Sequence, residues 1–113
     1  MGGDWKELLT AAEKGDVDLA KYHLLNGIDP NYQHPELLTT PLIEAAMYGH
    51  LEIVELLLAN GAKPEIRGVF DGYTALEVAK IKRHKKVIQI LEKAMNIPSN
   101  KADKTGFLNR FLR

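Results

Sequence analysis

Cysteine is absent from all 113 residues, which excludes disulfides and thiolate metal sites and fits a reducing compartment. No apolar run approaches the roughly eighteen residues that a membrane-spanning helix needs. The opening stretch MGGDWKELL has no basic segment followed by an apolar one, so no secretory signal and a cytoplasmic location are expected. The sequence also lacks a Walker-type glycine-rich loop, a G-x-S-x-G elbow, a G-x-G-x-x-G turn and an H-x-x-x-H pair. Its carboxylates Glu44, Glu52, Glu55 and Glu77 are expected on solvated helix faces, where nothing would raise a carboxyl to the range of a general acid. The expectation is therefore a protein without catalytic residues, cofactor or metal ligands.

What is present is ordinary in amount and uneven in placement. The apolar share is 45% and the charged share 27%, enough for one soluble domain with a modest core. The net charge is zero, yet residues 1–79 hold 5 basic and 13 acidic side chains, and residues 80–113 hold 10 and 2. A chain split into halves of −8 and +8 says something about partners and encounter and nothing about fold. It suggests a monomer with some salt-sensitive, head-to-tail self-association.

The strongest signal is a period of 34. Pro30, Pro64 and Pro98 share it, as do Leu8, Leu42 and Leu76, and Ala11, Ala45 and Ala79. The pairs Gly15 and Gly49, Gly27 and Gly61, Gly72 and Gly106, Thr40 and Thr74, and His50 and His84 share it too. Within one unit the physics is legible. Thr40 can cap a helix through its hydroxyl, and Pro41 suits the first helical position, where its missing N–H costs nothing. Leu42, Ala45 and Ala46 form a narrow stripe of mostly small residues at helical spacing. Gly49 stops that helix. Ile53, Val54, Leu57 and Leu58 mark the buried face of a second helix, and Gly61 ends it. Helices this short are marginal in isolation, so each hairpin must bury its apolar face against the next copy, which is the logic of a solenoid.

The stretch TPLIEAAMYGHLEIVELLLANGAKP (40–64) resembles an ankyrin repeat, and DGYTALEVA (71–79) resembles the turn and first helix of another. The first copy, DWKELLTAAEKGDVDLAKYHLLNGIDPN, lacks Thr-Pro but keeps the Leu, Ala and Gly lattice, with Asp4 and Glu7 spaced for a capping box. The resemblance covers residues 4 to about 94. It implies an all-α solenoid of helix-turn-helix repeats joined by β-hairpin-like loops. Three repeats are expected at about 4–31, 32–65 and 66–95. Residues 96–113 would then form a partial fourth hairpin and a short capping helix bearing Phe107, Leu108, Phe111 and Leu112; the rival reading is an amphipathic segment that docks on a membrane or partner. Ile43 and Glu77 stand where the family usually has a histidine, so the Thr–His hydrogen bond of that signature is expected to be absent. Arg83 replaces the inter-helix glycine, and Met95 the closing one, marking the third copy as degenerate and near the end of the stack. His50 and His84 occupy turn positions where the family has structural histidines. His23 is expected buried, in register with Leu57 and Leu91, and His34 lies in a loop with no cluster around it.

The resemblance implies that a protein partner is bound on the concave face and hairpin tips. The rows of the lattice free of core duty there hold Trp5, Glu13, Lys14, Leu37, Met47, Tyr48, Phe70, Tyr73, Ile81 and Lys82. Aromatics and Met at such positions are the residue types enriched at interface centres. The alternative function comes from KIKRHKK. Lys80, Lys82 and Arg83 close one helix, where cations are favourable, but Lys85 and Lys86 open the next, where they are not. This run is either a solvated outer end of the stack or part of a basic 80–113 region that serves as a regulatory or targeting surface for an acidic partner. Nucleic acid is the weaker candidate, because aromatic interleaving is missing and the total charge is zero.

Overall fold

The computed structural model describes residues 4–69 and 71–96. Among them lie six helices and no strand: α1 (Asp4–Lys14), α2 (Val17–Leu25), α3 (Pro41–Tyr48), α4 (Leu51–Ala59), α5 (Ala75–Lys82) and α6 (Lys85–Ala94). The helices form three pairs, each closed by a two-residue turn: Gly15-Asp16, Gly49-His50 and Arg83-His84. Longer irregular connections, 26–40 and 60–74, link one pair to the next.

Each helix start has a local cause. Asp16 accepts a hydrogen bond from the Leu19 amide at 3.1 Å, and Thr40 accepts one from the Ile43 amide at 3.2 Å, with Pro41 opening the first turn. Thr74 and Glu77 make a reciprocal capping box. The Glu77 amide donates to Thr74 Oγ1 at 3.2 Å, and the Thr74 amide donates to Glu77 Oε1 at 3.0 Å. Glu77 thus fixes the helix start at the position where the family signature has histidine. The capping box expected of Asp4 and Glu7 is not what forms. Helix α1 begins at Asp4 itself, and the Glu7 carboxylate is turned to His23, whose Nε2 donates to it at 2.8 Å.

The core is one continuous cluster running through all three pairs. Leu8, Leu42 and Leu76 are buried in register, and so are Ala11, Ala45 and Ala79. From the second helices come Ala20 and Leu24, then Ile53, Val54 and Leu57, then Val87 and Leu91; Leu58 is only partly buried against them. The alanine stripe lets α1, α3 and α5 pack closely on one another, whereas α2, α4 and α6 touch less extensively. The first helices thus form the more tightly packed layer of the stack.

The register between pairs is set by imidazole and glycine together. His50 Nε2 donates to the Glu13 carbonyl and His84 Nε2 to the Met47 carbonyl, each at 3.0 Å, reaching back into the preceding pair. Each ring lies against the turn glycine of that pair. A Cβ added to Gly15 would stand 2.8 Å from His50, and one added to Gly49 would stand 2.7 Å from His84. Both glycines are also left-handed, with φ of 81° and 75°. Arg83 takes the same backbone position with φ 63°, a strained choice for a residue with a side chain. Its side chain is exposed. Loop stitching adds to the register. Asn31 donates through Nδ2 to the Gly61 carbonyl at 2.9 Å and accepts from the Lys63 amide at 2.8 Å, and Gln33 Nε2 donates to the Arg67 carbonyl.

The third pair also changes chemistry at several lattice positions. Ile43, Ala46, Leu51 and Leu58 pack into the core, and their counterparts in the next unit are Glu77, Lys80, Lys85 and Glu92. Lys80 Nζ and Glu92 Oε2 lie 3.9 Å apart. The third pair therefore carries charge at positions that are apolar in the second. The capping hairpin and helix expected over 96–113 lie outside the described residues but for Asn96, whose φ of 59° follows the C-cap of α6.

Replacing Arg83 with Gly should raise stability by about 0.5–1 kcal/mol, the relieved backbone strain less the added unfolded-chain entropy. Gly49→Ala should instead destabilise by more than about 1 kcal/mol and by more than Gly61→Ala, because only the former also meets a histidine ring. Urea denaturation of the three variants measures both effects.

Candidate partner-binding face

The residues expected to meet a partner fall into three groups. Tyr48 and Ile81, near the ends of α3 and α5, are 48% and 57% exposed, and Tyr73, just before α5, is 43% exposed. Large apolar side chains left this open on the first-helix layer have no core role. Glu13, Lys14 and Lys82 are exposed beside them, while Met47 is partly buried against the core and its carbonyl holds His84. At the connection tips Leu37 and Val69 are exposed, and Phe70 lies outside the described residues.

Trp5 differs from the expectation. Helix α1 starts earlier, relative to its counterparts at Pro41 and Ala75, so Trp5 sits inside the first turn. Its ring stacks on His34, with centroids 4.5 Å apart and planes 16° apart, and it meets Tyr32 at 5.4 Å and 58°. Trp5 is engaged in tying the first helix to the following connection, and His34 does belong to a cluster, an aromatic one. The backbone there is fixed by the Glu36 amide donating to His34 Nδ1 at 3.1 Å.

A groove of about 310 Å³ opens between α1 and α3. It is lined by Lys6, Leu9, Thr10 and Glu13 from α1, by Glu44 from α3, and by Leu37 and Thr39 from the connection before it. Helical spacing explains the α1 contribution, since positions 6, 9, 10 and 13 share one face. Of the expected contact residues, the groove brings together Glu13 and Leu37; Tyr48, Tyr73, Ile81 and Lys82 lie outside it. Glu44 corrects the expectation of a solvated carboxylate. It is half-buried, and burial pushes its carboxyl above the ordinary range. The Thr39 hydroxyl, donating to Oε2 at 2.9 Å, opposes that shift, and the like charges of Glu13 and Asp71 add to it. Leu38, next to Leu37, is left-handed with φ 56°, at the position where the following unit has Gly72 with φ 78°.

The basic run is partly committed. Lys80 faces Glu92, whereas Lys82, Arg83, Lys85 and Lys86 are exposed. Arg83, Lys85 and Lys86 line a shallow groove of about 370 Å³ with Gly49, Leu51, His84 and Val87. Helix α6 has no side-chain cap and no acidic residue in its first turn, so its N-terminal dipole and the two lysines all present positive charge.

Two features escaped the sequence reading. Asp4, Glu7 and His23 bring ligand-type atoms within 4.8 Å of one another, a grouping accounted for by the His23–Glu7 hydrogen bond. Tyr22 and Leu25, one turn apart on α2, are 61% and 79% exposed. The lattice holds the signal for Tyr22. Its counterparts Leu56 and Ile90 pack against the core, and α2 belongs to the first pair, with no earlier described helix beside it.

Comparison with known proteins places this arrangement. The family model for ankyrin repeats in three copies matches residues 8–102. A Drosophila melanogaster protein, the ARF GTPase-activating protein Git, is 32% identical over 90 residues, covering 80% of this chain and 12% of that protein. The Caenorhabditis elegans E3 ubiquitin-protein ligase hecd-1 is 34% identical over 96 residues, covering 82% of this chain and 4% of its own length. A putative ankyrin repeat protein of fowlpox virus, FPV031, is 34% identical over 85 residues, covering 74% of this chain and 25% of the viral protein. The chain thus spans a quarter or less of the length of these relatives.

Glu44 gives a testable pH dependence. A carboxyl whose folded pKa lies above its unfolded value disfavours the fold when ionised. That cost is complete above the folded pKa and is relieved as pH falls through the folded and then the unfolded value. Glu44→Gln keeps an acceptor for Thr39 and should raise the melting temperature at neutral pH, with the gain vanishing in acid. Carboxyl-carbon NMR titration should show Glu44 titrating above the ordinary glutamate range.

Proposed function

The chain belongs to the ankyrin-repeat family, and we propose from this that its concave face and connection tips form a non-catalytic site for a protein partner. The observation that carries the reading is the exposure of Tyr48, Tyr73, Ile81 and Leu37 on the first-helix layer and its tips, where the lattice gives them no core duty. Aromatic side chains offer large contact area with few rotors to immobilise, which suits them to the centre of an interface. Met47, next to Tyr48 in sequence and partly buried against the core, adds an adaptable side chain there. Glu13, Lys14 and Lys82 form its polar rim. The activities named for the longer relatives are statements about those proteins; for this chain the proposal is limited to recognition.

The triple variant Met47→Ala, Tyr48→Ala, Tyr73→Ala should keep its helical circular dichroism and lose partner capture from lysate by at least about tenfold relative to wild type. Equal capture by the two proteins would move the site elsewhere.

A second reading is supported by the uncapped start of α6 with Lys85 and Lys86 exposed on it. There the chain would also dock an acidic surface in a regulatory or targeting role. Such binding should weaken steeply with salt and disappear on charge reversal at Lys82, Lys85 and Lys86. Salt-independent binding, or binding unchanged by the reversal, would count against it.

A further inference from the structure

We propose that the groove between α1 and α3 receives one basic side chain, an arginine or a lysine, from an extended segment of the protein partner. This rests on the concave-face reading above and supplies the chemistry that reading leaves open.

The walls of the groove are of two kinds. Leu9 and Leu37 provide apolar surface, while Glu13 and Glu44 provide carboxylates, with the hydroxyl residues Thr10 and Thr39 between them. An aliphatic stem ending in a cation matches both, because Lys and Arg lay their methylenes on apolar surface and carry the charge at the tip. A bare metal ion matches only the carboxylates and gains nothing from the leucines.

The two carboxylates of the groove outnumber its one basic residue, Lys6, and neither is ion-paired among the described residues. The ion pairs among the described residues join His23 with Glu7, Arg67 with Glu77, and Lys80 with Glu92, and none includes Glu13, Glu44 or Asp71. Lys6 is the basic residue on the lining, and it is exposed. The half-buried Glu44 feels Glu13 and Asp71 as like charges, and a single neutral hydroxyl from Thr39 holds it in place. A cation entering between Glu13 and Glu44 would remove that repulsion and gain charge-assisted hydrogen bonds in a partly desolvated setting. The acidic part of the chain, 1–79 at −8 overall, extends the same attraction outward as a steering field.

The tip geometry agrees. Leu38 holds a left-handed backbone that its counterpart Gly72 adopts without strain, and its carbonyl accepts from the Val69 amide at 3.1 Å. Strain of this kind persists where neighbouring structure fixes it, and here it lies next to the leucine that walls the groove. Exposed Tyr48 and Tyr73 flank the same layer. The partner segment would therefore place an apolar residue against the tyrosines and its basic residue in the groove.

The test is a peptide selection. A displayed library of random peptides of about twelve residues, long enough to cross the face in extended form, is selected on the immobilised full chain. A peptide from the enriched pool is then titrated against wild type, Glu13→Gln/Glu44→Gln and Tyr48→Ala/Tyr73→Ala, each checked for an intact melting transition. The expected pool has Arg or Lys at one fixed spacing from an apolar residue. The peptide should lose at least about tenfold in affinity both on the glutamine variant and when its basic residue is changed to Met, and the two losses should not add. A pool without a fixed basic position, or affinity unchanged on the glutamine variant, overturns the groove assignment. If such a peptide still depends on Tyr48 and Tyr73, the concave-face reading survives that failure. Independence from the tyrosines, or a library that yields no binder, overturns both.

Discussion

Helices of eight to eleven residues do not hold their shape in water, and every helix described in this chain is of that length. The interaction on which all else depends is the burial of each helical pair against the next. Leu57 illustrates it: the residue is fully buried on α4, a helix that faces α2 on one side and α6 on the other. The backbone hydrogen bonds inside each helix persist because that neighbour excludes water and removes the alternative conformations. Histidine rings lodged over turn glycines then set the spacing, converting a general apolar attraction into a fixed register.

Two consequences follow for function. A stack held by contacts between adjacent pairs spends its apolar residues on the inter-pair faces, so the exposed rim of the first-helix layer is free to vary. Tyr48, Tyr73 and Ile81 occupy it, and so does the groove with Glu13 and Glu44. The third pair departs from this pattern. Glu77, Lys80, Lys85 and Glu92 stand where the second pair has Ile43, Ala46, Leu51 and Leu58, and Arg83 occupies a glycine position that no described histidine constrains. Residues 80–96 carry six basic side chains and one acidic, so the described end of the chain is positive.

Much of this was legible in the sequence, for physical reasons. Identities at Leu, Ala and His recur with the repeat because those positions meet a neighbour with no slack, Gly27 and Gly61 recur for their left-handed backbone, and Thr40, Pro41 and Gly49 announce helix limits through local backbone chemistry alone. What stayed hidden depends on contacts between residues far apart in the chain. The Trp5–His34 stack requires α1 to begin early, at Asp4. The partner of Glu7 is His23, not its own helix end. The burial of Glu44 arises only when α1 and the tip before α3 close over it, and Leu38 takes its left-handed turn without a glycine to signal it.

Native-state hydrogen exchange on wild type and Leu57→Ala addresses the central dependence directly. The substitution opens a cavity in the middle pair and should cost roughly 2–5 kcal/mol. If pairs stand only through their neighbours, amide protection will fall in α2 and α6 as well as in α4, by comparable factors. Protection lost within α3 and α4 alone, with the outer pairs unchanged, would contradict the account.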